Sequence, residues 1–279
     1  MINSPMQLKS KIKNISKGDS NKSQALMRLF FMEKFLERLS MSNYKNDFIL
    51  KGGILVASIV GVEVRSTMDI DASISGFDLD EETATKIINE IMDIDIGDNV
   101  SFEVIKETKI MEEFDYPGLR FTLKAFFGEI SQAIMIDIST GDIITPAAID
   151  YKYDLMLENR SIKLKSYNIE TLLAEKLETI MSRSIANTRM RDFYDVHYLY
   201  CQKGKSIDIE ILKNAFHLIS QKRNTYNQFS NIDDIMGIIE KDENMLNYWN
   251  SYKENSYYVR NLTWRDVNQT IKEVFNRIK

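Results

Sequence analysis

Residues 48–74 read FILKGGILVASIVGVEVRSTMDIDASI, and the rest of the chain is organised around them. An apolar strand over Phe48–Leu50 leads into Lys51-Gly52-Gly53 and then into a short apolar helix. Glycine lets backbone N–H groups approach a phosphate closely, and the helix N-terminus behind the turn adds a favourable dipole. This segment therefore predicts a phosphate-binding turn.

The same stretch ends in a second strand that carries Asp69 and Asp71. Alternate residues of a strand point to the same side of the sheet, so the two carboxylates face one volume of space. Two like charges this close repel unless a cation lies between them, and such oxygen ligands suit Mg²⁺ together with substrate phosphates. The stretch predicts a metal-binding carboxylate pair beside the phosphate-binding turn, which is what nucleotidyl transfer needs.

Each of these two motifs is weak when it stands alone. A single Asp-x-Asp is common on solvated strand ends, and a single Gly-Gly pair carries even less information. Their combination in this order, separated by about fifteen residues, is what indicates a functional site.

Hydrophobic periodicity predicts an α/β (α+β) fold with a mixed sheet in the first half of the chain. Ser23–Ser40 has apolar residues at helical spacing, and Asp80–Met92 is a second helix opened by acidic residues. Residues 1–22 are polar and rich in lysine, which predicts a loose lead or a short helix. A turn at Gly128-Glu129 predicts that the last two of three strand-like runs pair as a hairpin. These runs are Val100–Thr108, Leu119–Phe127 and Ser131–Ser139.

Asp137 interrupts the last of these strands. Its neighbours Ile136 and Ile138 lie on the opposite, apolar face. A charge here is costly unless it is paired or bound to metal, although an aspartate at a solvated sheet edge has the same appearance.

The second half of the chain changes from strand-like to helical patterns. Residues 150–168 form a connector with a short strand over Ser161–Leu164. We therefore expect one domain over residues 1–150 and a mainly helical domain over residues 151–279. The predicted helices are 169–183, 190–202, 207–221, 231–250 and 263–278.

Composition is that of an ordinary globular protein, with 44% hydrophobic and 28% charged residues. The longest apolar run, residues 54–62, is too short to span a bilayer, and the N-terminus lacks the apolar core of a secretory signal. The single cysteine permits no intramolecular disulfide, and one cysteine with two histidines essentially excludes a structural zinc site. We expect a cytoplasmic protein that has no membrane partner.

The net charge of −5 does not by itself point to a nucleic-acid ligand. Residues 1–150 hold 16 basic and 24 acidic residues, whereas residues 151–279 hold 20 and 17. The mildly basic second half permits RNA binding without requiring it.

A second cluster of charges lies within residues 172–200, LLAEKLETIMSRSIANTRMRDFYDVHYLY. Lys176 and Arg183 are two helical turns apart and so project from the same helix face. After a loop, a new helix begins with four charged residues, Arg189, Arg191, Asp192 and Asp195. This pattern also fits a solvated, salt-bridged helix pair.

Together these motifs resemble the DNA polymerase β-like nucleotidyltransferases. The form Lys-Gly-Gly…Arg-Ser-x-x-Asp-Ile-Asp is closer to one branch, the AbiEii toxins of bacterial abortive-infection (type IV toxin–antitoxin) systems. The later Lys-Leu-x₅-Arg and Arg-x-Arg-Asp-x-x-Asp motifs of that branch also match, so the resemblance covers about residues 48–200. Gly52-Gly53 replaces the Gly-Ser that is usual in the wider superfamily.

The resemblance implies a metal-dependent nucleotidyltransferase that modifies an RNA, such as the tRNA acceptor end, and halts growth on phage infection. It implies Mg²⁺ or Mn²⁺, a nucleoside triphosphate such as GTP or a pyrimidine nucleotide, and a cognate antitoxin encoded nearby that forms no stable complex. The implied metal ligands are Asp69, Asp71 and Asp137, and the catalytic set adds Lys176, Asp192 and Asp195. The implied nucleotide-binding residues are Lys51, Gly52, Gly53, Arg65, Ser66, Thr67, Lys176, Arg183, Arg189 and Arg191.

Two other functions remain open at this point. One is a nucleotide-binding toxin that sequesters a partner without RNA transfer, and the other is nucleotidyl transfer to a protein or a small molecule. Asp192 and Asp195 either orient Lys176 and the arginines or contact the base or ribose.

Overall fold

The computed structural model describes residues 2–61, 63, 65–75, 80–110, 118–259 and 261–279. The chain forms two compact units. The first comprises Met1–Asp142 and Ile149–Ser166, and the second comprises Ile143–Ala148 and Tyr167–Lys279. Val62, the end of the predicted apolar run, lies outside the described residues.

The first unit is built on a seven-stranded mixed sheet. Its strands are β1 (Phe48–Lys51), β2 (Asp69–Ile74), β3 (Val100–Ile110), β4 (Gly118–Phe127), β5 (Ile130–Thr140), β6 (Ile149–Asp154) and β7 (Ser161–Ser166). The spatial order is β3-β4-β5-β2-β1-β7-β6. The β2–β5 and β1–β7 pairs are parallel and the other neighbours are antiparallel. β2 thus lies at the centre of the sheet, where its neighbours fix its register on both sides.

Four helices belong to this unit, namely α1 (Pro5–Ser16), α2 (Ser20–Met41), α3 (Gly52–Val60) and α4 (Glu81–Met92). α2 is buried on nearly all sides, and even its charged side chains Glu33, Lys34, Glu37 and Arg38 are at most 2% exposed. Burying such groups is tolerable only when they are paired. Lys34 pairs with Glu37 and Glu158, and Arg38 forms a two-pronged ion pair with Asp98.

The second unit is helical. Its α-helices are α5 (Ile169–Arg183), α6 (Met190–Lys203), α7 (Ile209–Lys222), α8 (Ile232–Lys241), α9 (Glu243–Asn255) and α10 (Trp264–Ile278). α10 begins at a reciprocal cap between Thr263 and Asp266 and buries an apolar stripe that includes Val267, Ile271 and Val274. No helix among the described residues is long and apolar enough to cross a membrane.

The predicted fold class is confirmed: a mixed sheet with flanking helices is followed by a helical region. The predicted hairpin is also confirmed, since Phe127 pairs with Ile130 across the turn. Residues 1–22 contain a regular helix, α1, whose first turn is capped by the Ser4 side chain.

Two predicted boundaries differ from the structure. Residues 149–166 are not a connector with one short strand but an antiparallel hairpin, and β7 pairs with β1, so this segment belongs to the sheet of the first unit. The predicted helix over 231–250 is two helices, because the side chain of Asp242 caps a new helix start. The functional division at residue 150 stays a prediction.

Candidate active site

Three aspartates of the first unit come together, as the sequence predicts for Asp69, Asp71 and Asp137. One carboxylate oxygen from each lies within 4.8 Å of the others. Asp69 and Asp71 share a face of β2, while Ile70 and Ala72 on the other face are 1% exposed in the core. Asp71 and Asp137 are direct neighbours because β2 and β5 run parallel with these residues in register.

Two cations flank Asp71 and Asp137 in one row of register partners across the sheet. Lys51 on β1 lies opposite Asp71, and Arg120 on β4 lies opposite Asp137. Register partners share a sheet face, so Lys51, Asp71, Asp137 and Arg120 follow one another across four strands. Two carboxylates are thus flanked by two positive charges.

The raised pKa of Asp71 indicates that nearby cations do not fully compensate the negative charge of the three aspartates. Burial, followed by the charges of Asp69 and Asp137, raises the pKa of Asp71 to about 7. The Gly53 N–H, which donates to Asp71 Oδ2 at 3.1 Å, and the charge of Lys51 only partly oppose this. A cluster of carboxylate oxygens with excess negative charge is the donor set that Mg²⁺ or Mn²⁺ prefers, so the residues present fit a divalent cation.

The two glycines of the turn are required by close contacts. Gly52 has φ +61°, and a β-carbon there would overlap the Asp71 carboxylate. A β-carbon on Gly53 would lie 2.6 Å from Thr67 Oγ1. The Thr67 hydroxyl therefore lies beside the position where the wider superfamily usually carries its serine, which explains the second glycine in physical terms.

The other predicted phosphate-binding residues of this unit lie on the same segments. Thr67 is buried, and its hydroxyl lies 3.2 Å from the Asp69 carbonyl oxygen, to which it donates. Arg65 is buried and donates to the carbonyl oxygen of Ser66. Arg65 also lies near Gly53, where a β-carbon would be 3.3 Å from Arg65 Nη2. The turn, Arg65 and Thr67 thus form one compact group beside Asp69.

Lys51 does not extend freely toward a ligand. Its ammonium donates to Ser139 Oγ at 2.8 Å and to Asp142 Oδ2 at 2.6 Å. Burial alone would raise the pKa of Asp142, but Lys51 and hydrogen bonds from Ser139 and Ser73 outweigh it and hold that pKa at about 2. Asp142 is therefore a permanent counter-ion for Lys51.

Two arginines beside the aspartates were not predicted from the sequence. Arg120 binds both oxygens of Asp137, with Nε–Oδ1 2.6 Å and Nη2–Oδ2 2.5 Å. That hydrogen bond and the nearby aspartates raise the pKa of Arg120. Burial lowers the pKa of Arg28 on α2, and the charge of Asp69 partly opposes this shift.

The position of Arg120 opposite Asp137 could have been predicted from the register of the hairpin. Its two-residue turn pairs Phe127 with Ile130, and counting seven residues along both strands brings Arg120 opposite Asp137. Arg28 had no comparable signal, because tertiary packing of α2 brings it to the site.

A second cluster lies within the helical unit. Lys176 on α5 is 8% exposed, and its Nζ lies 3.1 Å from Asp192 Oδ1 and 2.8 Å from Asp195 Oδ2, both on α6. Asp192 also pairs with Arg189 Nε at 3.2 Å. The two carboxylates hold the ammonium between them, which is the geometry expected if they orient Lys176, one of the two roles left open by the sequence.

The remaining predicted cations of this unit are more exposed. Arg183 is exposed at the end of α5, and Arg191 is partly buried in the first turn of α6. Within the described part of the chain, neither forms an ion pair.

Comparison with solved structures identifies related folds. MenT4, a nucleotidyltransferase toxin from Mycobacterium tuberculosis H37Rv, has a TM-score of 0.56 and 15% identity, with 97% of each chain covered. JHP933 from Helicobacter pylori has a TM-score of 0.50 and 14% identity, with 91% of each chain covered. These identities are low, so the likeness shows the fold alone. No curated protein matches the chain significantly by sequence.

A comparison with protein families gives the assignment. The family described as "Nucleotidyl transferase AbiEii toxin, Type IV TA system" matches residues 34–275. The match includes the three aspartates of the sheet and the Lys176 cluster, and it confirms the resemblance seen in the sequence. Because it spans most of the chain, the protein belongs to the AbiEii nucleotidyltransferase toxins of type IV toxin–antitoxin systems.

Proposed function

We propose that this protein is a metal-dependent nucleotidyltransferase toxin that transfers a nucleotide from a nucleoside triphosphate to an RNA, with tRNA as the acceptor. The observation that carries the proposal is the group formed by Asp69, Asp71 and Asp137, whose carboxylate oxygens lie within 4.8 Å of one another. Such a group beside a glycine turn suits transfer chemistry, whereas a toxin that only sequesters a partner has no use for it.

The proposed reaction joins an acceptor hydroxyl oxygen to the α-phosphorus of the nucleotide while the bond from that phosphorus to the bridging oxygen breaks and pyrophosphate leaves. Mg²⁺ or Mn²⁺ held by the three aspartates would neutralise charge that develops on the phosphoryl oxygens. Asp137 orients the acceptor hydroxyl and accepts its proton. The hydroxyls of Ser66 and Thr67 and the N–H groups at Gly52-Gly53 contact the phosphates, and to do so the Gly53 N–H and the Thr67 hydroxyl give up Asp71 Oδ2 and the Asp69 carbonyl oxygen as acceptors.

The helical unit supplies fixed cations in this proposal. Lys176, held by Asp192 and Asp195, and Arg183 bind the triphosphate of GTP or of a pyrimidine nucleotide. In this proposal Arg189 and Arg191, which the family resemblance groups with the nucleotide-binding residues, contact phosphates of the RNA acceptor instead. In this proposal residues 1–150 form the nucleotidyltransferase-like domain and residues 151–279 form the mainly helical domain.

The biological setting follows from the family. A type IV system includes a cognate antitoxin. We propose that this antitoxin forms no stable complex with the toxin. In this proposal the toxin acts in the cytoplasm, without a membrane partner, and halts growth as an antiviral defence.

The test uses purified protein, Mg²⁺, total bacterial RNA or its tRNA fraction, and each α-labelled nucleoside triphosphate in turn. We expect label to enter tRNA with wild type and not with the Asp69→Ala/Asp71→Ala double mutant. The matched control is Asp150→Ala/Asp154→Ala, which removes two exposed carboxylates of β6 in the same unit.

Other outcomes would redirect the assignment. Label in protein or in a small molecule would identify a different acceptor. Nucleotide binding without any transfer would identify a binding toxin and contradict the proposed reaction.

A further inference from the structure

A groove of about 440 Å³ lies on the helical unit between the start of α6 and one face of α9. Two arginines and two tyrosines are among its lining residues, and no carboxylate of the described residues lines it. The lining residues used below are Arg189, Arg191, Tyr248, Ser251, Tyr252 and Asn255.

The α9 side of the groove is a polar and aromatic stripe. Tyr248, Ser251, Tyr252 and Asn255 are spaced by three, four and seven residues from the first, so they share one helix face. Met245 and Trp249, on the face that packs inward, are at most 1% exposed. The helix is thus held by its apolar face and presents the other face to the groove.

Tyr248 and Tyr252 differ in how they are held. Tyr248 is 41% exposed, although a large apolar surface is costly to leave in water. The Tyr252 ring instead packs among Tyr194, Trp249 and Tyr258, which makes it a rigid wall of the groove. A flat ligand can therefore stack on Tyr248 beside a fixed aromatic surface.

The α6 side supplies the positive charge. Arg191 has no ion-pair partner among the described residues. Arg189 pairs with Asp192 through Nε at 3.2 Å, and 44% of its side chain is exposed. The groove therefore carries uncompensated positive charge and attracts a polyanion.

Two other grooves of the same unit differ in character. One is lined by Asp233, Asp234 and Asp242 and is acidic. The other contains the Lys272–Glu240 ion pair and no aromatic side chain. Neither combines exposed arginine side chains with exposed rings, so these two grooves do not share the chemistry of the α6–α9 groove.

We propose that the α6–α9 groove binds a single-stranded segment of the RNA acceptor. Arg189 and Arg191 contact consecutive phosphates, a base stacks on Tyr248, and Ser251 and Asn255 hydrogen-bond to ribose or base edges. A positive groove with aromatic stacking surfaces is how proteins bind single-stranded nucleic acid without strict sequence preference. This inference rests on the proposed function, because it assigns a place to the acceptor of that reaction.

The groove is open to solvent. A free nucleoside triphosphate shares the same phosphate and base chemistry and is the competing occupant. The experiment must therefore measure RNA and nucleotide binding separately.

The test measures the affinity of full-length protein for a fluorescein-labelled single-stranded oligoribonucleotide and, in parallel, for a fluorescent GTP analogue. The variants are Arg191→Ala and Tyr248→Ala. The matched controls are Arg265→Ala, an exposed arginine of α10, and Tyr226→Ala, a tyrosine of the same unit that is 38% exposed. Thermal melts confirm that all four variants fold.

We expect each groove variant to weaken RNA binding about tenfold and to change GTP-analogue affinity less than about twofold. Arg191→Ala should also reduce the slope of log affinity against log salt by roughly one phosphate contact. Unchanged RNA affinity, an equal loss in the control variants, or a loss of nucleotide affinity instead would overturn the inference.

The transfer assay separates this inference from the proposed function. If wild type labels RNA while the groove variants bind RNA normally, the groove assignment fails and the reaction stands. If the groove variants lose RNA binding but wild type never labels RNA, the groove stands and the proposed reaction fails.

Discussion

At the scale of single residues, the site depends on the Gly52 backbone, which lies so close to the Asp71 carboxylate that no residue with a β-carbon fits there. Gly52 faces Asp71 with no room for a β-carbon. Gly18 has a similar positive φ, +89°, but no atom within 4 Å of a β-carbon placed there. Comparing alanine substitutions at the two positions therefore separates the effect of backbone strain, which both share, from the effect of displacing Asp71, which only the substitution at Gly52 has.

We predict that Gly52→Ala lowers the rate of nucleotide transfer about 100-fold, because it moves a carboxylate that must be positioned accurately. Gly18→Ala should lower the free energy of unfolding by on the order of 1 kcal/mol, because alanine is strained at this positive φ, and should leave the transfer rate nearly unchanged. Transfer rates and thermal melts of both variants are the measurements. Equal effects of the two substitutions on the rate would show that the contact with Asp71 is unimportant.

Arg120 gives a second prediction at this scale. It occupies both oxygens of Asp137, so it competes with a cation for the same ligand. Arg120→Ala should lower the metal-free melting temperature, because the buried carboxylate of Asp137 loses its partner. The same variant should gain more stability from Mn²⁺ than wild type does.

Lys124→Ala, on the same strand but exposed, is the control for Arg120→Ala. The measurement is the melting temperature of each variant with and without Mn²⁺. A Mn²⁺ response no larger than that of wild type would mean that Arg120 does not compete with metal for Asp137. Arg120→Lys should resemble the alanine variant, because an ammonium cannot bind both carboxylate oxygens in the same planar geometry.

These residues show what sequence reasoning reaches at a site. Asp69 and Asp71 were predictable because strand alternation puts both on one face of β2, whereas Asp137 was assigned to the group only by the family resemblance, since its place depends on the pairing of β2 with β5. Arg120 was predictable from the same register. Arg28 and the Lys51–Asp142 pair were not, since they depend on packing between segments far apart in sequence.

At the scale of elements, helix α2 joins the site to the core and is unusually rich in buried charge. Glu33 accepts a hydrogen bond from the Met156 N–H at 2.7 Å and so anchors the segment between β6 and β7. Burial raises the pKa of Glu33 to about 8, although hydrogen bonds from Met156, Leu157 and Tyr153 and the charge of Lys34 work against it. The folded protein therefore holds a proton here that the unfolded chain releases near pH 4.5.

This proton makes stability depend on pH. The contribution of Glu33 is fully present below about pH 4.5 and is lost as pH rises toward 8, with a slope that approaches 1.4 kcal/mol per pH unit. Glu33→Gln keeps the acceptor oxygen for Met156 and cannot ionise. We predict that its free energy of unfolding, relative to wild type, rises by roughly 2–4 kcal/mol between pH 5 and pH 8.

Denaturant unfolding of both proteins at pH 5, 6, 7 and 8 tests the Glu33 prediction. Parallel stability curves would show that Glu33 is ionised in the folded protein. Glu63→Gln, an exposed glutamate of the same unit whose side chain is 62% exposed, should leave the wild-type curve unchanged in shape.

The elements that sequence reasoning missed share a physical cause. The strand β6 reads IDYKYD, which does alternate apolar and charged residues, but the run is only six residues long and does not show which strand it pairs with. Its place in the sheet is set by β7, which pairs with β1 far away in the sequence. The break between α8 and α9 depends on one capping aspartate, and apolar periodicity continues across it.

At the scale of the whole molecule, the chain divides its chemistry between two compact units. The first carries the acidic group in the sheet, and the second carries Lys176 and the α6–α9 groove. The family assignment covers both units and was accessible from motifs alone, because each motif has a chemical reason for its spacing. The α6–α9 groove was not accessible, since α9 has no recognisable motif and its role depends on which helix it faces.

The most direct test of this account measures metal binding and nucleotide transfer in the same protein samples. Single substitutions Asp69→Asn, Asp71→Asn and Asp137→Asn keep side-chain shape and remove charge. Asp150→Asn, at an exposed position of β6, is the control. Calorimetry gives the Mn²⁺ affinity, and the label assay gives the rate of transfer to RNA.

We predict that each of the three substitutions lowers Mn²⁺ affinity at least about tenfold and transfer about 1,000-fold, while the control changes neither. Transfer that persists in the presence of a chelator, or that survives these substitutions, would contradict the account.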